Sequence, residues 1–511
     1  MKSSGAVARR LTEQDALELK PDFVKMKSND AHCVKQLNPI IREGLQRIGQ
    51  ASQALSGWPG LDRLADDPLL LARLETSPVC DVELERLLTS IRQSLLTDAL
   101  NASTAPPPRL RLFTALATQC YLNEYVFAVT DAEDAQVTAL KNAVMAAQQH
   151  QTPIAPMQLV ALAAYLPLDR LPDAATLLER PWPEAVMTVL IQQIREPLEQ
   201  AKYRCQMPRL TTIDGGVSTL VRNQYEENPY PRWVKAGMVP PAPTINAYVR
   251  QQFPEVAFQP LREDTNSAIL IAGCGTGLHS LDIARRYPGS RVLAIDISLN
   301  SLAYAQRKTL ELGVTNLRYA QADILRLEGV DETFDLIESV GVLHHLQDPV
   351  AGWMALLSHL RPGGLMSLGF YSERARRPVV MARERIARQG YQATASDIRR
   401  FRQDFMVCDE PEYRYLTQDS DFFTLSGCRD LLFHVHEHHF TLSHIAELMR
   451  ELELNFLGFI LDQRIKADYL QRFPDDPTAI SLDNWEQFEQ EHPRTFAWMY
   501  QFWVQRVVPF S

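Results

Sequence analysis

A chain of 511 residues, at about 150 residues per domain, implies about three domains. Its 52 Lys plus Arg against 62 Asp plus Glu leave a formal charge of -10, which argues against general nucleic-acid binding because phosphate recognition needs a cationic surface. With 46% hydrophobic and 22% charged residues, the composition excludes the disordered and fibrous classes.

Residues 1–215 read as an all-α domain. Leu84, Leu87, Leu88, Ile91 and Leu95 fall on one helix face, Leu116, Cys120, Tyr121 and Val126 on another, and Pro106 to Pro108 separate the two. Residues 216–265 read as a lid or linker, because the prolines of Asn228-Pro229-Tyr230-Pro231 exclude a continuing helix. From 266 the pattern alternates. Strands are expected at Ala268 to Ala272, Arg291 to Ile295, Leu317 to Ala320, Phe334 to Val340 and Leu365 to Phe370. Helices are expected at Leu278 to Arg286, Asn300 to Leu312 and Val350 to Leu360. Such repetition predicts an α/β, mainly parallel, doubly wound sheet over 266–375. Residues 376–440 break the rhythm as a middle insertion shaping the substrate site, and 441–462 return to the sheet. Residues 463–511 read as a C-terminal helical extension, with Phe496, Tyr500 and Trp503 at helical spacing.

The seven cysteines are scattered and odd in number, so free thiols in a cytoplasmic setting are expected, and no stretch reaches the length of a spanning helix. The chemistry concentrates in Ile269-Leu-Ile-Ala-Gly273-Cys274-Gly275-Thr-Gly277. Glycines at alternate positions after an apolar strand let the backbone turn and approach a ligand, with the next helix aiming its amides at the same place. Nineteen residues past Gly277, Asp296 ends the second strand, where a carboxylate can accept from a ribose diol. Asp323 follows the third strand and can accept from an exocyclic amine.

IAGCGTG, AIDIS, QADIL, FDLIESVGVLHHLQDP and LRPGGL, in that order, resemble the motif series of class I S-adenosylmethionine-dependent methyltransferases over residues 266–375. The resemblance implies a Rossmann-like sheet and S-adenosyl-L-methionine as cofactor. It implies cofactor contacts from Gly273, Cys274, Gly275, Gly277, Asp296, Ile297, Asp323, Ile324, Val340 and His344. The family carries an acid two places before the first glycine, where this chain has Ile271, so Glu226, Glu227 or a backbone carbonyl would have to hold the cofactor's amino group. A nicotinamide dinucleotide site is the structural rival, and HHLQDP and LRPGGL speak against it.

NEYVF, QYEENPYPRW and DFFTLSGCRDLLFHVHEHHFTL resemble segments of the multi-domain bacterial protein-lysine methyltransferases of the rickettsial outer-membrane-protein type. That resemblance implies a protein substrate and a homodimer formed through the helical N-terminal domain. Methyl transfer to a lysine amine needs alignment and a site that disfavours the ammonium form. Tyr225, Tyr230, Tyr371 and His344 are the catalytic candidates, with Trp233 as packing or wall. The alternatives are a small-molecule methyltransferase and a silent cofactor-binding scaffold.

Two clusters stand outside this frame. His434, His436, His438, His439 and His444 crowd eleven residues. Alternation of the first three points to one strand face, yet with no Asp or Cys sharing the spacing a proton-accepting role is expected, as for His344 or His345, and no metal. Between Arg374 and Arg402, nine arginines face only Glu384 and Asp397. This patch of +7 is read either as a solvated face pairing with the acidic remainder or as a dock for an acidic segment or RNA.

Overall fold

The computed structural model describes residues 39–49, 55–101, 104–262, 265–408, 410 and 416–507. Cys33, one of the expected thiols, lies outside them. Seven strands form one sheet: β1 (Ala268–Ala272), β2 (Arg291–Asp296), β3 (Leu317–Gln321), β4 (Phe334–Val340), β5 (Leu360–Phe370), β6 (Leu454–Phe459) and β7 (Tyr500–Arg506), in the order β3-β2-β1-β4-β5-β7-β6. β1 to β5 pair in parallel, while β7 runs antiparallel between β5 and β6.

The sheet is covered on both faces, so its strands are continuous apolar runs. Within them the period of two still sorts side chains. Leu270, Ala272, Leu293 and Ile337 join one core, and Ile269, Ile271, Val292, Ala294 and Leu336 join the other. Local chemistry sets the helix starts. Ser298 Oγ accepts from Ser301 N ahead of helix Leu299–Glu311, and Asp348 accepts from Val350 N and Ala351 N ahead of Pro349–Ser358. Strand order reverses between β1 and β4, so the crevice outside their carboxyl ends is where a doubly wound sheet presents its ligand site.

Two expectations, the helical C-terminal end and the histidine strand, are corrected. Tyr500 to Arg506 is a strand, not the end of a helix; the extension holds helices Gln463–Arg472 and Leu482–Glu491 and then re-enters the sheet. Phe502 and Val504 fill one core and Trp503 the other, so burial on both faces removed the alternation that marks a strand. The stretch 216–265 carries the helices Gly216–Glu227 and Ile245–Gln252, with the proline segment between them non-helical as expected. Residues 434–439 form no strand.

The insertion is helical, and helices Arg377–Gln389, Ala395–Met406 and Leu425–Phe433 pack into the apolar core of the N-terminal half through Val379, Phe401, Phe405 and Leu432. Most of the arginine patch is consumed internally. Arg402 pairs with Glu85, Arg399 donates to the Tyr125 carbonyl, Arg376 and Arg383 share Glu437, Arg385 pairs with Glu410, and Arg400 with Asp397. Four of the nine thus tie to acids outside the span, Glu85, Glu437 and Glu410, which reduces the charge open to a docking partner.

Candidate active site

The glycine loop leaves β1 tied to β2: Gly273 N and Cys274 N both donate to the Ile295 carbonyl, at 2.8 and 3.0 Å. Gly275 and Gly277 have φ of +52° and +87°, in the left-handed region. A Cβ on Gly275 would stand 2.6 Å from the Tyr230 carbonyl oxygen, and one on Gly277 would stand 2.5 Å from the Ala305 Cβ. Gly275→Ala is therefore expected to push the Tyr230 segment off the loop and weaken cofactor binding at least about tenfold, read by calorimetric titration.

Asp296 faces this loop. Its Oδ2 accepts from Gly275 N at 2.8 Å and its Oδ1 from Ser298 N at 2.9 Å. Burial pushes its carboxyl up to about 6, against the pull of the Ser298, Gly275 and Ile297 amides. Gln321 donates to the Ile297 carbonyl at 2.9 Å, tying β3 to the residue after Asp296. Asp323 caps the short helix Ile324–Gly329 through Leu325 N, and Ile324 sits in the core beneath. Val340 ends β4. The Cys274 thiol is pushed well up by burial and stays protonated.

A cover closes over this loop. Ser298 Oγ donates to the Tyr225 carbonyl, Leu299 N to Glu226 Oε1 at 2.6 Å, and Asn300 Nδ2 to the Glu226 carbonyl. Thr276 donates to the carbonyls of Tyr230 and Pro231, and Trp233 Nε1 donates to the Thr276 carbonyl at 3.1 Å. Trp233 packs on Leu281 and Tyr304, an ordinary core role. Glu227 pairs with Arg429 at 2.6 Å. Both glutamates named as substitutes for the missing acid are thus already committed.

Tyr225 and Tyr230 belong to this cover, and both lie within electrostatic range of Tyr371, which stacks with His344. Tyr225 Oη donates to Asp430 Oδ1 at 2.6 Å, and Tyr230 Oη to Asp421 Oδ2 at 2.9 Å. His344 stacks on Tyr371, with ring centroids 3.9 Å apart, and the Arg376 guanidinium lies 3.7 Å from the centre of the Tyr371 ring. His344 is wholly buried with both ring nitrogens unpartnered, and burial together with His345 holds it well below the ordinary histidine range. Burial, then the neighbouring Asp419 and Asp430, push the Asp421 carboxyl up to about 8. Glu437 is buried, yet His439, Arg376 and Arg383 hold its carboxyl well below the usual range.

The hydrogen bonds assign two tautomers. His345 Nδ1 meets the His436 carbonyl at 2.9 Å and must donate, leaving a lone pair on Nε2. His434 Nδ1 accepts from His436 N at 3.1 Å, so Nε2 carries the proton and donates to the Tyr225 oxygen at 3.2 Å. His345, Asp430 and His434 offer ligand atoms within 4.8 Å of one another, a metal-like grouping. But the two rings stack at 3.7 Å and 22°, and the His434 Nε2 is spent on a proton, so the lone pairs do not converge on one point. The trio suits hydrogen bonding and proton acceptance better than metal ligation.

Asp421, Asp430 and Arg376 were not singled out from sequence as site residues. Asp430 and His434 stand four residues apart, the one spacing that could have flagged them as neighbours on a helix.

Residues 269–364 match the family described as a methyltransferase domain. The chain is 40% identical over 120 residues to an uncharacterized protein from Synechococcus sp., covering 23% of this chain and 29% of that one. It is also 40% identical over 96 residues to trans-aconitate 2-methyltransferase from Deinococcus radiodurans, covering 19% and 34%. The chain thus spans about a third of the length of these curated relatives. Among solved structures it is similar to PKMT2 from Rickettsia typhi in complex with AdoHcy, at 15% identity and a TM-score of 0.40, over 52% of this chain and 54% of that one. The glycine loop, the strand order and the family match together identify residues 269–364 as a methyltransferase domain of the class I, S-adenosylmethionine-dependent type.

Proposed function

We propose that the whole chain is an S-adenosylmethionine-dependent methyltransferase acting on a protein side chain, with a lysine amine as the favoured acceptor. The observation that carries the cofactor half is Asp296, a buried carboxylate bonded to the glycine-loop amide at the strand-order reversal. Gly273, Cys274, Gly275 and Gly277 would hold the amino-acid end, Asp296 and Ile297 the ribose, Asp323 and Ile324 the adenine, and Val340 and His344 the cleft wall. When bound, the cofactor supplies a methyl group on a cationic sulfonium.

The remaining work falls to the chain. Removing a proton from a lysine of pKa near 10.4 costs about 4–5 kcal/mol at pH 7. A wall of Tyr225, Tyr230, Tyr371 and His344 excludes water and disfavours the ammonium, which lowers that cost. The His345 Nε2 lone pair beside Asp430 offers an acceptor for the proton. This reading includes a cytoplasmic homodimer formed through the helical half, supported by the scattered spacing of the cysteines and by the resemblance of the overall layout.

A small-molecule acceptor is the second reading, supported by the identity shared with trans-aconitate 2-methyltransferase. Transfer of radiolabelled methyl into a cell lysate, resolved into protein, RNA and small-molecule fractions, separates the readings. Label is expected in protein, with Tyr225→Phe lowering its rate about tenfold or more through loss of the bond to Asp430. Label confined to small molecules would overturn the protein substrate, and cofactor binding without any transfer would favour a scaffold.

A further inference from the structure

We propose that Glu338 supplies the carboxylate that Ile271 lacks, and that it receives the ammonium of the cofactor's amino-acid end. The proposal rests on the methyltransferase reading and deepens it. Ile271 of β1 pairs in register with Glu338 of β4. Facing residues of adjacent parallel strands point to the same side of the sheet, so Glu338 projects on the face that an acid at position 271 would use. The carboxylate is moved sideways by one strand spacing, about 4.8 Å, and stays level with the position two residues before Gly273.

Its surroundings do not explain it as packing. Glu338 is 2% exposed, between Ile337 and the equally buried Ser339, on the same face as the apolar Leu336. A position needed only to fill that core would take an aliphatic residue, since burying a carboxylate is costly unless it is paired. Oε2 meets His279 Nε2 at 2.7 Å, and His279 opens helix Leu278–Arg286 directly after the glycine loop. That contact fixes the carboxylate against the loop and accounts for one oxygen. Oε1 is buried with no hydrogen-bond partner. The Arg286 charge acts on Glu338 through space but donates no hydrogen bond to Oε1, so a donor is missing there, and an ammonium brings three N–H donors and a positive charge. Of the other acids near the loop, Glu226 and Glu227 are held by Leu299 N and Arg429, and Asp296 by Gly275 N and Ser298 N.

The test compares two ligands on the full chain by titration calorimetry. S-adenosylhomocysteine carries the amino-acid end; 5′-methylthioadenosine has the same adenosine without it. Glu338→Gln is expected to weaken S-adenosylhomocysteine at least tenfold and to leave methylthioadenosine within about twofold. The double variant Ile271→Asp with Glu338→Gln, which returns the acid to β1, is expected to recover most of the lost affinity and provides a second test if the single variant folds poorly. Equal losses for both ligands, or no loss for either, would overturn the proposal while leaving the cofactor reading intact. A wild-type chain that binds neither ligand would overturn both.

Discussion

Asp296→Ala is expected to reduce affinity for S-adenosylhomocysteine by about 100-fold. The substitution strips acceptors from two backbone amides, Gly275 N and Ser298 N, at about 1–3 kcal/mol for each donor left unsatisfied, and it removes the acceptor proposed above for the ribose diol. Asp296→Asn, which keeps one carbonyl acceptor, should lose less. The pH dependence has two opposite signs. The carboxyl is raised from an ordinary 3.8 to about 6 by burial, so above pH 6 the folded chain confines a charge that the unfolded chain solvates. For the fold, this group is therefore unfavourable at neutral pH and is relieved as pH falls from about 6 toward 4. Binding runs the other way, because hydroxyls donate to the carboxylate. Affinity should decline as pH falls through 6, by at most about tenfold per unit below it. Calorimetry from pH 8 to 5 checks this, and a flat profile would remove Asp296 from the ligand.

Glu85→Gln should be among the most destabilising single changes in the helical half. Arg402 is fully buried, donates to both Glu85 oxygens at 3.0 and 2.8 Å, and also reaches the carbonyls of Phe422 and Val126. Breaking such a pair from one side leaves a buried guanidinium without its counter-charge and costs about 3–5 kcal/mol. At roughly 2–4 °C per kcal/mol for units of 150–250 residues, the thermal midpoint should fall by roughly 10 °C. Replacing both partners with methionine should recover most of that loss, because two desolvated charges leave together. Scanning calorimetry of the two variants decides the matter: a single variant as stable as the wild type would mean that the pair is not what holds the insertion.

The legible parts of this chain were those whose cause is local. Ala268 to Ala272 and Phe334 to Val340 are found where the apolar runs place them, because parallel strands covered on both faces need no distant partner to declare them. The glycine loop and Asp296 were legible for the same reason, being a strand, a turn and a helix in direct succession. β7 was not. Its spacing of Phe496, Tyr500 and Trp503 mimics a helix, and only pairing with β5 and β6 decides otherwise. Asp421 and Asp430 look like ordinary polar residues until Tyr230 and Tyr225, about 200 positions earlier, close on them. Glu338 was read as part of a strand end, and its meaning lies in the register with Ile271, which no single segment reveals.

The shared core of the helical half and the insertion bears on how the chain is made. Glu85 and Arg402 lie 317 positions apart, and Phe401, Phe405 and Leu432 fill the same core as Leu87 and Leu95. During synthesis at about 5–20 residues per second, the first helices must therefore wait on the order of tens of seconds, their apolar faces uncovered, before the segment that completes them emerges. In that interval the nascent chain carries an unfinished hydrophobic surface and a carboxylate awaiting its counter-ion. The cofactor sheet waits longer still, because β7, which pairs with β5, is made only at 500–506. The helical unit can therefore close first, and the sheet that carries the cofactor site is completed afterwards.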